Sequence, residues 1–482
     1  MNNNIAKNAA AISVPAVFFL CVAVLTLQQQ QNIWFPLDDA YITIGNVDTF
    51  LTDCTDLFGN AAPTGATSLV HFLSMALLSL IVDTPVASLT LGFTSAALYA
   101  VGLWIFLFSV SSSRIIAASG TVAGISLGFA WFQLMNGLET GMAMAAIVWA
   151  FYFRHTQKYL ALAILVGAMP FIRPEFYVLS ALFFVSIVAV RPIDLRSTTI
   201  FFATSAVTYG VLALISFLTL GGILPDTVGA KEVFFADKGE VFFNRLMTAL
   251  SAVWKNDLVL IFAGLVFAPL LRGGWVALVF FLAVALSAAL KLPGALNHNN
   301  FRYLYPFLPV AIIGWAAFLA KWKRGDLVFV IATVFSVLIF ATRFWPNYAE
   351  GWTNVDQKRE LATNWIAENL PPNSVIGIHD AGYIPWRLSN PSVPTEFKFV
   401  DLVGLKSPDA ISYHETYSDP TNGTERWRAL DEIARVNGVE YLVILDEHYW
   451  KNLETEFRFA GWSLDLVFAN TGSYQVYRAH AP

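Results

Sequence analysis

Charge is what this sequence has least of. Only 13% of its 482 residues are Asp, Glu, Lys or Arg, while 56% are hydrophobic, shares that depart in opposite directions from those of a soluble globular protein. Cysteine is almost missing: Cys21 and Cys54 are too few for a disulfide framework and match no metal-ligand spacing. The formal net charge is −5, with basic residues in short loops and acidic ones crowded into the C-terminal third, which argues against a nucleic-acid partner. No small-residue cleavage site follows the first apolar run, Ala11 to Leu27, and only Lys7 precedes it as a charge, so the run reads as a retained helix rather than a signal peptide. No inverted repeat of the kind found in many transporters is visible.

What is abundant is long apolar runs. They recur from Ala9 to Thr342 and cease after Trp345, which divides the chain into a transmembrane module (1–345) and a soluble domain (346–482). The weak point is Ser68 to Val82, apolar but short. If it lies at the interface within an outer loop 29–87, as an interfacial helix over 68–82, then Arg114, Arg154, Lys158, Arg191, Arg196, Arg272, Lys321, Lys323 and Arg324 all fall in cytoplasmic loops, as the positive-inside rule requires. The spans are then near 11–28, 88–110, 115–134, 137–153, 158–172, 175–190, 197–220, 257–271, 275–290, 304–320 and 326–342: about eleven transmembrane helices. The remainder reads as a small α/β domain, with helices over 356–369 and 425–436 and strands over 374–379, 398–402 and 440–445, closed by a strand pair within 463–478.

With that topology every unusual polar cluster faces outward. Asp38 and Asp39 follow the first helix; adjacent side chains diverge, so one serves as a reacting group while the other orients a partner or binds a cation, unless the pair is simply a solvated helix end. Glu139 and Glu175 sit at tight turns, where an acid at a helix start is also favoured by the dipole. Arg173 runs against the charge bias and so calls for a fixed anionic partner. Lys231 and Arg302 are cations at interface depth, suited to a phosphate or to plain snorkelling.

These segments together resemble the GT-C superfamily of polyprenyl-phosphate-sugar-dependent glycosyltransferases, in particular the branch of mycobacterial and corynebacterial arabinofuranosyltransferases. The resemblance rests on Asp38-Asp39-Ala40-Tyr41-Ile42, Gly137-Leu138-Glu139-Thr140, Arg173-Pro174-Glu175, Leu224-Pro225-Asp226-Thr227 with Ala230-Lys231, and Arg302-Tyr303 followed by Pro306 and Pro309. In the C-terminal domain it adds Asp380-Ala381-Gly382 and Asp401-Leu402-Val403-Gly404-Leu405. The sequence departs from the pattern at His298-Asn299-Asn300, where a more acidic or Gly-rich stretch is expected, and at Pro63 to Ser68, which lacks a Glu.

The resemblance implies an inverting glycosyltransferase in a bacterial inner membrane. It has a cytoplasmic N-terminus and a periplasmic C-terminal domain, and moves a sugar from a polyprenyl-monophosphate donor to a glycan or lipid acceptor. One carboxylate takes the proton of the acceptor hydroxyl as the bond to phosphate breaks through an oxocarbenium-like state. Asp38 is the first choice for that base and Asp39 the second. Lys231, Arg302 and Arg173 would stabilise the departing phosphate. Glu139, Glu175, Tyr41, His298, His379 and Asp380 are expected on the substrate side, and a divalent cation at Asp39 and Glu139 is the one cofactor the pattern leaves open. A transporter or flippase of a lipid-linked compound is the alternative; it calls for ionisable groups near mid-membrane, and the spans are almost free of them.

Overall fold

The computed structural model describes the chain except Met1 and residues 30–31, 33, 53, 61–62, 190–194, 224–226, 237, 256–258, 391–395, 448 and 471, and gives backbone alone at 2–12, 227–228, 354 and 356. Asp226 and Arg191, both singled out in the sequence, lie outside the described residues.

Helix α1 (Asn2–Gln29) is the expected first span. The next segment, read as a loop with a single interfacial helix, holds two helices, α2 (Asp39–Thr52) and α3 (Leu69–Ser79). At eleven residues α3 is about 16 Å long, far short of a bilayer core of about 30 Å, and it ends in exposed Leu77, Leu80 and Ile81. It falls where the interfacial helix was expected.

Apolar helices then form at each remaining expected span: α4 (Thr84–Ser111), α5 (Arg114–Ser126) continued by the short α6 (Ala130–Met135), α7 (Thr140–Thr156), α8 (Tyr159–Ala168), α9 (Phe176–Ala189) and α10 (Leu195–Leu220). After α11 (Thr227–Phe235) and the amphipathic α12 (Phe242–Lys255), helix α13 (Val259–Phe262) runs into a 3₁₀ segment, Ala263–Leu270, bent by 104° from α12. Helices α14 (Trp275–Lys291), α15 (Leu308–Leu319) and α16 (Gly325–Ile339) complete the set. Among the described residues Thr84–Ser111, Leu195–Leu220 and the run Gly325–Asn369 are long and apolar enough to cross a membrane alone, and several others are shorter apolar helices. Outward-facing Leu214, Leu218, Leu260 and Phe335 are more than half exposed, as on a surface bathed in lipid rather than water.

Small residues set the tightest helix packing. A Cβ on Gly314 of α15 would lie 2.1 Å from the Gly264 carbonyl, and one on Gly264 would lie 2.1 Å from that of Ala311, so the backbones of α15 and the Ala263–Leu270 segment touch directly, as small-residue interfaces allow in membranes.

Helix α16 does not stop at the membrane. It continues through a π-turn at Phe340–Phe344, α17 (Trp345–Asn354) and a second π-turn at Val355–Glu360 into α18 (Leu361–Asn369), carrying the chain into the C-terminal domain. There β1 (Val375–Ile378), β2 (Lys398–Asp401), β3 (Tyr441–Leu445), β4 (Ser463–Ala469) and β5 (Tyr474–His480) form one sheet in the order β2-β1-β3-β5-β4. The first three neighbours are parallel and β5 and β4 antiparallel. All five strands coincide with those expected. Helices α19 (Tyr383–Leu388), α20 (Asp409–Tyr413), α21 (Arg426–Asn437) and α22 (Asn452–Phe459) cover the sheet; only α21 is long enough to show helical periodicity in the sequence.

Replacing Gly314 by Val is expected to cost about 1–3 kcal/mol through overpacking. Gly210→Val, where a Cβ would meet nothing within 4 Å, should be near neutral. Thermal unfolding of the two variants in detergent checks this, and equal midpoints would contradict the packing described.

Candidate active site

The chain enters α2 through Asp38 and Asp39, whose carboxylates part company. Asp39 Oδ2 takes two cations, Lys231 Nζ at 3.1 Å and Arg302 Nη1 at 3.3 Å. Its side chain keeps 26% of its surface exposed, and the two cations hold its carboxyl well below the usual carboxylate range against the opposing effect of burial. Arg302 Nη2 reaches on to Glu139 Oε1 at 3.5 Å, and Arg173 lies between Glu139 at 3.6 Å and Glu175 at 2.6 Å. The Tyr303 ring lies against both guanidinium groups, 4.8 Å from Arg173 and 5.3 Å from Arg302. Six charged side chains from five segments thus form one chain of alternating sign. Arg173, Glu139 and Arg302 are almost wholly buried, which is tolerable only because each is paired.

Two local features aim these groups. Gly137, in the turn before α7, has φ +79°, and a Cβ there would lie 2.6 Å from the Phe35 ring and 2.8 Å from the Ala40 Cβ; only glycine lets the Glu139 turn press against the start of α2. Ahead of Arg302, three consecutive residues are left-handed: Asn299 (φ 48°), Asn300 (φ 55°) and Phe301 (φ 62°). Asparagine tolerates that conformation better than most residues, which accounts for the two asparagines standing where a more acidic or Gly-rich stretch was expected. Buried Gln133 donates to the carbonyls of both Asn299 and Asn300, at 2.9 and 3.0 Å, and accepts from Asn136, whose own Oδ1 takes the Leu138 N–H. Gln133 ties the Arg302 turn to the Glu139 turn. The sequence reading missed it because it was counted within the apolar span 115–134.

Asp38 turns the other way, into the C-terminal domain. Its two oxygens accept the N–H groups of Gly382 and Tyr383, both at 2.8 Å, and Arg359 lies 3.9 Å away. Burial, with the Asp380 carboxylate nearby, pushes its carboxyl up to about 7. Gly382 is needed for the approach, since a Cβ there would lie 2.1 Å from the Asp38 carbonyl oxygen. Asp380, after β1, is held low by His379, with Nδ1 at 3.2 Å, and by Arg359, and accepts a hydrogen bond from Tyr474. His379 itself accepts the Leu445 N–H at 3.0 Å and stacks on Trp450 at 4.0 Å. These residues occupy the carboxyl ends of parallel strands, where α/β sheets commonly place functional groups. Tyr41 accepts the Phe35 N–H at 2.7 Å and packs its ring on Tyr383 and Trp386.

The structure therefore brings Asp39, Lys231, Arg302, Glu139, Arg173 and Glu175 into one cluster, and Asp38, Asp380 and His379 into a second. His298 lies beside Lys231 in the cavity wall. His71, which the sequence reading passed over, lines a small cavity with Asp39, Glu139, Lys231 and Arg302. Among the described residues no group of His, Cys, Asp and Glu has metal-holding geometry; the Arg302 guanidinium lies between Asp39 and Glu139, the pair at which the sequence left a divalent cation open.

Two cavities meet at Lys231 and Tyr303. One, of about 360 Å³, is a groove walled by Ala283, Val284, Ser287 and Ala288 of α14, with Arg173 and Arg302 at its polar end. The other, of about 590 Å³, extends under the C-terminal domain to Asn422, Arg426 and Tyr449.

Comparison with solved structures gives the fold its name. ArnT from Cupriavidus metallidurans, in a crystal structure bound to undecaprenyl phosphate, superposes with a TM-score of 0.55 at 12% identity, over 96% of this chain and 97% of that one. The archaeal oligosaccharyltransferase AglB from Archaeoglobus fulgidus, in complex with an inhibitory peptide and a dolichol-phosphate, does so with a TM-score of 0.54 at 11% identity, over 99% of this chain and 74% of that one. The chain has a GT-C-like membrane fold with a C-terminal sheet domain. More particularly, a family model described as "Domain of unknown function (DUF8728)" matches residues 347–477. No curated protein matches in sequence.

Asp38 makes docking of the C-terminal domain pH-dependent. Its carboxyl titrates near 7 when docked against an ordinary value of 3.8, so the docked state binds the proton more tightly. Its contribution is complete below about pH 4 and is lost as pH rises through about 7. Asp380 acts with the opposite sign, but below the ordinary carboxylate range, outside that window. Hydrogen exchange at the Tyr383 amide, corrected for intrinsic rate, should quicken between about pH 4 and 7 in wild type and stay flat in Asp38→Asn; a flat wild-type profile would contradict the assignment.

Proposed function

We propose that this protein is an inverting membrane glycosyltransferase that moves a sugar from a polyprenyl-monophosphate donor to a glycan or lipid acceptor on the non-cytoplasmic side. The observation that carries the reading is the groove along α14: an apolar wall ending in Arg173, Lys231 and Arg302 suits an isoprenoid chain whose phosphate must be held by cations at interface depth. The neighbouring cavity, sharing Lys231 and Tyr303, gives the sugar and the acceptor a place on the far side of the phosphate. Lys158, Arg272, Lys321, Lys323 and Arg324 lie in turns at the other ends of these helices, with Arg114 opening α5 and Arg154 in the last turn of α7, which supports a cytoplasmic location for that face by the positive-inside rule. The motif order supports the arabinofuranosyltransferase branch, with a pentosyl or hexosyl donor.

Asp39 and Asp38 divide the work. A general base must reach the acceptor hydroxyl, and Asp38, with both oxygens on backbone N–H groups and only 10% of its side chain exposed, is poorly placed for that. The base is therefore Asp39, the second choice from sequence. Paired with Lys231 and Arg302 it is a weak base, because the two cations hold it ionised. The arriving phosphate competes for those two cations; as they swing to it, Asp39 is left in a buried setting that favours proton uptake. Asp39 then takes the hydroxyl proton as the acceptor oxygen attacks the anomeric carbon and the bond to phosphate breaks with inversion. Lys231, Arg302 and Arg173 stabilise the charge on the departing phosphate, which needs no acid. One carboxylate is enough, because no covalent intermediate forms. The transporter reading is the weaker one, since the charged groups gather on one face instead of at mid-membrane.

The exchange of partners makes an unusual prediction. Asp39→Asn should lower transfer of labelled sugar from a panel of polyprenyl-phosphate donors by about 10²-fold or more and yet bind undecaprenyl phosphate more tightly than wild type, having no carboxylate to displace. Lys231→Ala and Arg302→Ala should weaken binding. Donor consumption by none of the panel, or full turnover in Asp39→Asn, would refute the reading.

A further inference from the structure

A third cavity, of about 400 Å³, lies between α2 and the C-terminal domain, in the size range of ligand sites, and takes no part in the reaction described above. Helix α2 presents one face to it: Tyr41, Gly45, Asp48, Thr49 and Thr52 line the wall, spaced as a single helical stripe. Asp39 and Thr43, rotated away from that stripe, line the small cavity by Lys231 and Arg302, and Ile42 borders both. The opposite wall is built on Trp386. Its indole N–H donates to Asp48 Oδ2 at 2.9 Å, its ring rests 5.1 Å from Tyr41, and the other Asp48 oxygen accepts from Thr84. The aromatic surface is thus held in place and partly open to the cleft.

The charges of the cleft indicate what it can hold. Its cations are engaged already: Lys406 with Asp56 at 2.6 Å and with the Asn46 side chain at 2.6 Å, and Arg387 with Glu360 at 3.6 Å. A phosphate or carboxylate would have to displace Asp56 or Glu360 from these cations against the repulsion of Asp48 and Asp56. What remains is an aromatic face, hydroxyls from Thr49, Thr52 and Thr55, and the Asp48 carboxylate, each of whose oxygens accepts one hydrogen bond and keeps a lone pair to offer. That is the chemistry that recognises an uncharged sugar, whose C–H face lies on an aromatic ring while its hydroxyls donate to carboxylates. Gly45 completes the fit by leaving the stripe without a side chain opposite Trp386, 3.7 Å from where a Cβ would lie.

We propose that this cleft is a binding site for a neutral glycan, holding a part of the acceptor remote from the hydroxyl that reacts. The inference rests on the transferase reading for its purpose, but the site stands on its own geometry. Asp39 stands at the first turn of the same helix, on the side away from the cleft, so an acceptor long enough to round α2 is held at both places and short ones at one.

The test is calorimetric titration of the full-length protein in lipid nanodiscs, free of sugar-headed detergent, with neutral trisaccharides of arabinose, mannose, galactose and glucose. Saturable binding of at least one is expected. Thr49→Trp, which fills the cleft without touching the cation cluster, and Trp386→Ala should each weaken it by about tenfold or more, while Asp39→Asn should not. If none of the four binds, or if Thr49→Trp binds as well as wild type, the proposal is overturned. Binding without any donor consumption would remove the enzyme reading and leave the glycan site; donor consumption without binding would do the reverse.

Discussion

One carboxylate holds the centre of this molecule together. Asp39 Oδ2 bridges Lys231 and Arg302, residues 192 and 263 positions away, and through Arg302 the contact extends to Glu139 and Arg173. Each cation taken singly would be an expensive group at the edge of a membrane. Joined in alternating sign and packed round Tyr303, they neutralise one another and fix five segments at one point. The cost of burying them is offset only while the pairing holds, so another anion can take the place of Asp39 on the cations, leaving the Asp39 carboxylate to be neutralised by a proton.

The second constraint is the attachment of the sheet domain. Asp38, the neighbour of Asp39, receives two backbone N–H groups from the turn after β1, and the continuous helix from Gly325 to Asn369 fixes the domain from the other side. Adjacent residues thus carry two loads, one holding the cations and the other docking the domain over the cavity they line. A displacement of the domain would be felt at the reacting centre through a single peptide bond.

Much of this was legible in the sequence. Apolar runs gave the helices, and short β-branched stretches between turn signals gave all five strands, because both depend on local periodicity. The motifs also named polar residues that the fold gathers into two clusters, Asp39 with Lys231, Arg302, Glu139, Arg173 and Glu175, and Asp38 with Asp380 and His379. Their pairing was beyond reach: nothing in the spacing tells that Lys231 and Arg302 meet at Asp39, or that Asp38 faces away from it. Helix α2 was hidden because its buried face packs on another domain, so Asp39–Thr52 carries polar residues such as Asn46 and Asp48 amid its apolar ones. Gln133 was hidden for the reverse reason, a polar anchor inside an apolar run. The left-handed Asn299–Phe301 turn left a trace, in asparagines standing where a more acidic or Gly-rich stretch was expected, that the backbone angles explain.

The most direct test is a structure of the wild-type protein with a polyprenyl phosphate bound. The account predicts the phosphate at the head of the α14 groove, within hydrogen-bond distance of Lys231 and Arg302, with both cations withdrawn from Asp39. A phosphate lodged elsewhere, with the Asp39–Lys231 and Asp39–Arg302 contacts intact, would contradict it.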